Sequence, residues 1–339
     1  MKLHSRQEMH LIPAIEISDG ELLTNTPTVS ILMMTRNHQE YIDKAVESVI
    51  DQNCDFQYEI IIGEDFSSDN TLLKCKELQR RYPQVIRLVN ATENVGITKN
   101  FLRLAVRARG QYSAFLEGDD YWTATDKLQK QVDLMEANAN YSWCGAKTQN
   151  RTFPVNVKPY YTLTDTLRRY IIHTSTVMYR SSLLEEYPAF PDFLVLDSVL
   201  FSYLSTRGHC GFINQTVSYY RVHEGGFWTG ASLEKRTRLT RAFTHVINDY
   251  FLGKYEKEIY ERELWILTMD CQNNIKGRLF CGWMENIVYV NSNTRRMLSV
   301  LPREWSLFYL KICFQPLLVL ISSIRMRVGI RTRLKSLFD

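Results

Sequence analysis

The chain has no G-x-G-x-x-G turn and no G-x-x-x-x-G-K-[ST] loop. Dinucleotide oxidoreductases and P-loop NTPases use those loops to wrap phosphate in backbone N–H groups, so both classes are set aside. Seven cysteines lie at 54, 75, 144, 210, 271, 281 and 313, an odd number with no C-x-x-C pair. Neither a disulfide framework nor a zinc knuckle is expected, and reduced thiols follow. The 339 residues contain no Gly/Ser/Pro-rich linker, low-complexity block or internal repeat, so disorder is not expected. Lys plus Arg is 41 against 37 Asp plus Glu, and a net charge of +4 is too mild to indicate nucleic acid. Residues 1–27 lack the cationic start and apolar core of a secretion signal, which predicts a cytoplasmic location.

What is present is alternation. Short apolar runs at Val29–Met34, Glu59–Ile62, Val85–Val89 and Tyr112–Leu116 read as buried strands. Between them, helical spacing recurs from Tyr41 to Ile50, from Thr71 to Tyr82 and from Phe101 to Ala108. Strand and helix in turn predict a mostly parallel sheet covered on both faces, with ligands outside the carboxyl ends of the strands. Each predicted strand runs into polar residues at that end. Thr35-Arg-Asn37 follows the first, Glu64-Asp65 the second, Asn94 the third and Glu117-Gly-Asp119-Asp120 the fourth.

Three carboxylates within four residues repel one another unless a cation compensates them. Oxygen ligands in a turn suit Mg2+ or Mn2+, with Gly118 allowing close backbone approach. The alternative is that Asp119 or Asp120 caps a helix starting near Trp122. Asp65 is the carboxylate best placed for a ligand, whereas Ser67, Ser68 and Asp69 suit the cap of the next helix. Further on, Asp197 opens a helical stretch, where base and N-cap are both open readings. His173 and His223 are lone histidines, which more often serve structure than ligation.

The runs Thr28–Ser48, Ile60–Thr71, Asn94–Gly96 with Lys99-Asn100, and Phe115–Trp122 resemble family 2 glycosyltransferases of the GT-A fold. His173-Thr-Ser-Thr176, Asp197 and Tyr220–His223 resemble the second half of a bacterial subgroup acting on surface polysaccharides. The resemblance runs from about Pro27 to about Trp228. It implies an α/β, Rossmann-like fold, mostly parallel, with helices on both faces and a C-terminal helical extension. It divides the chain into an N-terminal extension (1–26), a catalytic domain (27–230) and a helical C-terminal region (231–339). The catalytic domain splits into a nucleotide-sugar half (27–122) and an acceptor half (123–230).

The resemblance implies a metal-dependent, inverting transfer from a nucleoside-diphosphate-sugar, a UDP-sugar by expectation, to a glycan or glycolipid hydroxyl. Thr35, Asp65, Lys99 and Glu117 fall at nucleotide-sugar-binding positions, with Glu117 standing where the family's D-x-D pair has its first Asp. Asp119, Asp120 and His223 fall at metal-binding positions, for Mn2+ or Mg2+. Asp197 falls at the catalytic base. Rival readings are a catalytically silent glycan-binding or scaffold protein of this fold, and a sugar-phosphate nucleotidyltransferase.

Ser306–Ile324 is nearly apolar and about long enough to span a bilayer, but Lys311, Gln315 and Pro316 interrupt it. Arg325, Arg327, Arg331, Arg333 and Lys335 follow. An interfacial helix is expected, touching the inner face of the cell membrane peripherally. A helix packed on the catalytic domain is the alternative.

Overall fold

The computed structural model describes residues 3–151, 157–169, 171–190, 196–226, 230–276 and 300. The chain divides between Ala231 and Ser232 into two compact units.

The first unit is built on one large sheet. Its strands are β1 (Ile15–Ile17), β2 (Val29–Thr35), β3 (Tyr58–Glu64), β4 (Ile86–Asn90), β5 (Tyr112–Phe115), β6 (Tyr121–Trp122), β7 (Tyr141–Gln149), β8 (Met178–Arg180) and β9 (His209–Tyr219). Their spatial order is β1-β4-β3-β2-β5-β8-β7-β9-β6, with Tyr160–Tyr161 also paired to β9. The β4-β3-β2-β5 segment is parallel throughout. Beyond it the sheet is mixed: β8 runs antiparallel to both neighbours, and β9 lies parallel to β7 and antiparallel to β6.

The parallel segment is buried on both sides, and all seven residues of β2 are buried. Alternate strand residues face opposite layers. Val29, Ile31 and Met33 join Ile60, Ile62, Ile86 and Leu88 in a core shared with α1 (Ile42–Ile50), α2 (Thr71–Arg81) and α4 (Lys127–Ala137). On the other side lies α3 (Ile97–Ala105), whose Phe101 ring sits 5.3 Å from Phe115. Each fully buried Ile or Val contributes about 1.5–3 kcal/mol, an upper estimate for a compact unfolded chain.

Helix α3 starts four residues before the apolar periodicity does. Gly96 adopts φ +85 at its N-cap, and Thr98, Lys99 and Asn100 make a polar first turn that hides the start. The aromatic and polar run Tyr219–Gly226 reads in sequence as a strand leaving into a glycine turn, but β9 ends at Tyr219 and the rest is irregular. His173–Tyr179 alternates in sequence as a strand would, but it is a 3-10 turn over Thr174–Thr176 followed by β8.

The second unit, as far as it is described, is helical. Ser232 caps α6 (Leu233–Tyr250) by accepting from the N–H of Lys235. Leu252 and Gly253, both at positive φ, lead into α7 (Glu256–Lys276). Phe243, Ile247, Ile259 and Tyr260 are buried where these helices pack, and the Arg262 guanidinium lies 4.4 Å from the Phe243 ring centroid. The apolar and basic segment 306–335 lies outside the described residues. Among those described, no helix is long and apolar enough to cross a membrane.

Candidate active site

Because β2, β3 and β5 are parallel, Thr35, Glu64-Asp65 and the Glu117–Asp120 turn emerge on one edge. The turn presses against the end of β2. The Gly118 N–H donates to the Met34 carbonyl at 2.9 Å. A Cβ at Gly118 would lie 2.6 Å from Thr35 Oγ1 and 3.1 Å from His38 Nδ1, so only glycine fits. Thr35 Oγ1, His38 Nδ1 and Glu117 Oε2 are buried without a hydrogen-bond partner. Buried polar atoms left so are costly, and they mark a place where a ligand completes the bonding.

Asp65 is 4% exposed. Its two oxygens accept from the N–H groups of Val95 and Gly96, at 2.8 and 3.1 Å. The loop after β4 is thereby tied to the end of β3. Beneath it, buried Arg103 donates to the Glu64 carbonyl and to Asn100 Oδ1, at 2.8 and 2.9 Å. The next residue, Phe66, is half exposed at φ +56. Asp69 accepts from the N–H of Thr71 at 2.9 Å, at the start of α2. Lys99 is exposed in α3.

Asp119 and Asp120 cap no helix, because Tyr121–Trp122 is a strand and α4 begins only at Lys127. The two carboxylates face different partners. Asp119 Oδ2 lies 3.0 Å from His223 Nε2 and 3.7 Å from His38 Nε2. Asp120 is 2% exposed and accepts the Arg221 N–H at 2.9 Å. One ligand atom each from His38, Asp119 and His223 lie within 4.8 Å of one another, and Asp120 is outside that group. Two imidazoles and a carboxylate are a donor set that fits a divalent ion.

Burial and the neighbouring charges of Asp120 and Asp119 raise Glu117 well above the usual carboxylate range. Burial, with the charge of Asp119, pushes Asp120 up to about 8. Burial works on Asp119 in the same direction, but the His223 contact and the field of His38 outweigh it and hold Asp119 low. One of three crowded carboxylates therefore stays ionised, beside the two rings. His38 itself is lowered, by burial first, against the pull of Asp119.

Arg221 sets the approach of His223. Its guanidinium lies 4.7 Å from the Tyr41 centroid and 5.2 Å from that of Tyr121, which stacks on Tyr219 at 5.0 Å. Tyr41 also packs against His223, centroids 4.8 Å apart. His173 is buried, with Nδ1 2.8 Å from Ser175 Oγ and its ring 4.4 Å from Tyr220. Burial lowers it to about 3, so it is neutral.

Asp197 sits in the first turn of α5 (Leu196–Ser205) rather than at its N-cap. Its Oδ2 accepts from Thr174 Oγ1 at 3.4 Å, and its charge is among those that raise Glu117. The structure thus brings Thr35, Glu117, Asp119, Asp120 and His223 together, with Asp197 in electrostatic reach. Sequence reasoning missed His38, Tyr41, Tyr121 and Arg221. His38 directly follows the Thr35–Asn37 cluster at a strand end, which was the available signal.

A family model described as Glycosyl transferase family 2 matches residues 30–187. An uncharacterized Mycobacterium tuberculosis protein is 31% identical over 219 residues, covering 61% of this chain and 62% of that protein. This chain thus spans less than two thirds of that relative's length. The dTDP-rhamnosyl transferase RfbG of Shigella flexneri is 27% identical over 281 residues, 76% of this chain and 91% of that one. Among solved structures, Staphylococcus aureus TarS 1-349 in complex with UDP-GlcNAc superposes with a TM-score of 0.63 at 18% identity, covering 90% of this chain and 93% of that chain. The fold is of the GT-A glycosyltransferase type. Residues 30–187 are thus similar to glycosyltransferase family 2.

Proposed function

We propose that the chain transfers a sugar from a nucleoside-diphosphate donor, a UDP-sugar, to a hydroxyl of a glycan or glycolipid in cell-surface polysaccharide synthesis. The observation that carries this reading is the ionised Asp119 beside His223, at the sheet edge where Thr35 and Asp65 also emerge. The relatives support the donor class: one is named for dTDP-rhamnose transfer and one is bound to UDP-GlcNAc, both pyrimidine nucleotides.

Asp119 and His223 would hold a divalent ion, Mn2+ or Mg2+. When bound, that ion supplies Lewis-acid stabilisation of the charge developing on the leaving diphosphate. Thr35 and Asp65 line the nucleotide side, and Lys99 follows the loop that Asp65 holds. Burial and the neighbouring Asp120 and Asp119 raise Glu117 well above the usual carboxylate range, which favours a neutral carboxyl able to donate to a donor oxygen. Asp197 takes the acceptor hydroxyl proton as the new C1–O bond forms and the C1–phosphate bond breaks. The bond's electron pair leaves with the diphosphate. Attack opposite that leaving group inverts the anomeric carbon, which has gained oxocarbenium character.

The test is nucleotide release by the purified chain from UDP- and dTDP-sugars, with and without Mn2+, in the presence of glycan and lipid-linked acceptors. Metal-stimulated release of one nucleotide, coupled to a glycosylated acceptor, supports the reading. No release from any donor, with no thermal stabilisation by UDP or dTDP, would sink it.

A further inference from the structure

The carboxylate–histidine pair leaves one residue at the site without a task. His38 reaches the acidic turn from the loop after β2, and it is held there independently of Asp119. Its N–H donates to Thr71 Oγ1 at 2.8 Å, and the Gln39 N–H donates to Asp69 Oδ2 at 3.2 Å. Asn37, at φ +55, accepts the Ser68 N–H on its side-chain oxygen at 2.9 Å. A non-glycine residue at that φ is uncommon, and asparagine tolerates it best. Three ties to the loop before α2 therefore bring the ring to Asp119.

There the ring makes no hydrogen bond. His38 Nε2 stands 3.7 Å from Asp119 Oδ2, beyond bonding range, while His223 Nε2 occupies that oxygen at 3.0 Å. The two imidazoles meet edge to face with centroids 6.2 Å apart. Ligands about 2.0–2.2 Å from one metal ion lie roughly 3 Å apart when adjacent. The gaps of 3.0 and 3.7 Å, with all three atoms within 4.8 Å, need only side-chain adjustment to reach that arrangement.

We propose that His38 is a metal ligand, completing with His223 and Asp119 a two-imidazole, one-carboxylate set that selects a first-row transition ion such as Mn2+ over Mg2+. This rests on the reading that a divalent ion sits at the acidic turn, and adds the third ligand and the class of ion. Mg2+ takes oxygen ligands and gives up its waters reluctantly, so two nitrogen donors disfavour it. First-row transition ions accept imidazole nitrogen readily.

The experiment is pulsed EPR on the full chain loaded with Mn2+, alone and with UDP, with Mn2+ and Mg2+ affinities measured by competition. The parent should show two directly bound imidazole nitrogens. His38→Ala and His38→Gln should each show one, bind Mn2+ more weakly by at least the ~10–100-fold typical of outer partners, and lose most of the preference over Mg2+. Thermal unfolding of the metal-free variants checks that the fold survives, and the nitrogen count in the parent needs no variant at all. A parent with a single bound nitrogen overturns the proposal. So do His38 variants that keep the parent's count and preference. Failure of the underlying reading looks different: a parent that binds neither ion, or Asp119→Asn and His223→Ala variants that bind both unchanged, puts the metal elsewhere and overturns both.

Discussion

Thr35 and Gly118 touch so closely that no side chain fits between them, since a Cβ on Gly118 would fall 2.6 Å from Thr35 Oγ1. The neighbouring strand end is also tied to the turn, through the Met34 carbonyl. Gly118→Ala must therefore push the acidic turn off the end of β2. Such overpacking costs about 1–3 kcal/mol. Thermal unfolding should show a lowered Tm, together with weaker nucleotide-sugar binding. A variant with the parent's Tm and turnover would mean that the turn has slack the geometry does not suggest.

Asp119→Asn removes the one carboxylate that its surroundings keep ionised. Metal response and turnover should fall together, by more than the ~10–100-fold typical of outer partners of a metal site. A Mn2+ titration of turnover checks this. The role is lost if the variant's titration curve overlays the parent's.

Asp197→Asn separates a general base from a first-turn helix residue. A general base contributes on the order of 10²–10⁴ in rate, and nucleotide binding should survive its loss. If Asp197 only stabilised the first turn of α5, asparagine would cost about 0.3–1 kcal/mol of stability and leave turnover almost unchanged. The pair of measurements is sugar transfer and UDP binding in the same variant. Full transfer would redirect the search to Glu185, Glu186 or Asp192, the last of which lies outside the described residues.

Lys127 gives a pH dependence away from the site. Its amine is fully buried, donates to Gln131 Oε1 at 2.6 Å and lies 3.9 Å from the Trp122 ring centroid. Burial nevertheless lowers it to about 7. Between about 7 and the roughly 10.4 of an unfolded lysine, the unfolded chain holds the extra proton. Stability from this group therefore rises with pH across that window, and the cost of a buried charge is complete below it. Lys127→Met should be more stable than the parent at pH 6, with the difference shrinking toward pH 10. A Tm difference that stays flat over that range contradicts the assignment.

The basic C-terminal segment is tested by its removal. A chain ending at Arg303 should partition less onto vesicles containing anionic lipid than the full chain does, because the Arg325–Lys335 cations attract that surface. Equal partition of the two chains rejects peripheral anchoring.

The parallel half of the fold was legible because its strands are buried on both faces and read as unbroken apolar runs. Val29–Met34 and Glu59–Ile62 sit within one or two residues of β2 and β3. That placement put Thr35, Asp65 and the acidic turn on one edge before any coordinates. The other half was less legible for a physical reason. Strand β9, His-Cys-Gly-Phe-Ile-Asn-Gln-Thr-Val-Ser-Tyr, buries Cys210–Phe212 and Val217–Ser218 around an open middle and carries register shifts, so no continuous run announces it. His38 escaped because its relation to Asp119 comes from loop anchoring at Thr71 and Asp69 rather than from spacing. Asp120 is adjacent to Asp119, yet its carboxylate accepts the Arg221 N–H while Asp119 meets His223.

Strand β9 pairs with the two residues that follow the acidic turn, Tyr219 against Tyr121 and Ser218 against Trp122. His223 is thus delivered by a pairing that closes a long loop of chain, and it meets Asp119 from 104 residues away. Contacts of such separation form late, after the entropy of closing the loop has been met. A nascent or nicked chain lacking β9 holds the carboxylates without His223 beside them. On the proposed reading, metal capture would discriminate finished molecules from unfinished ones, and its binding energy would accrue only to the completed fold.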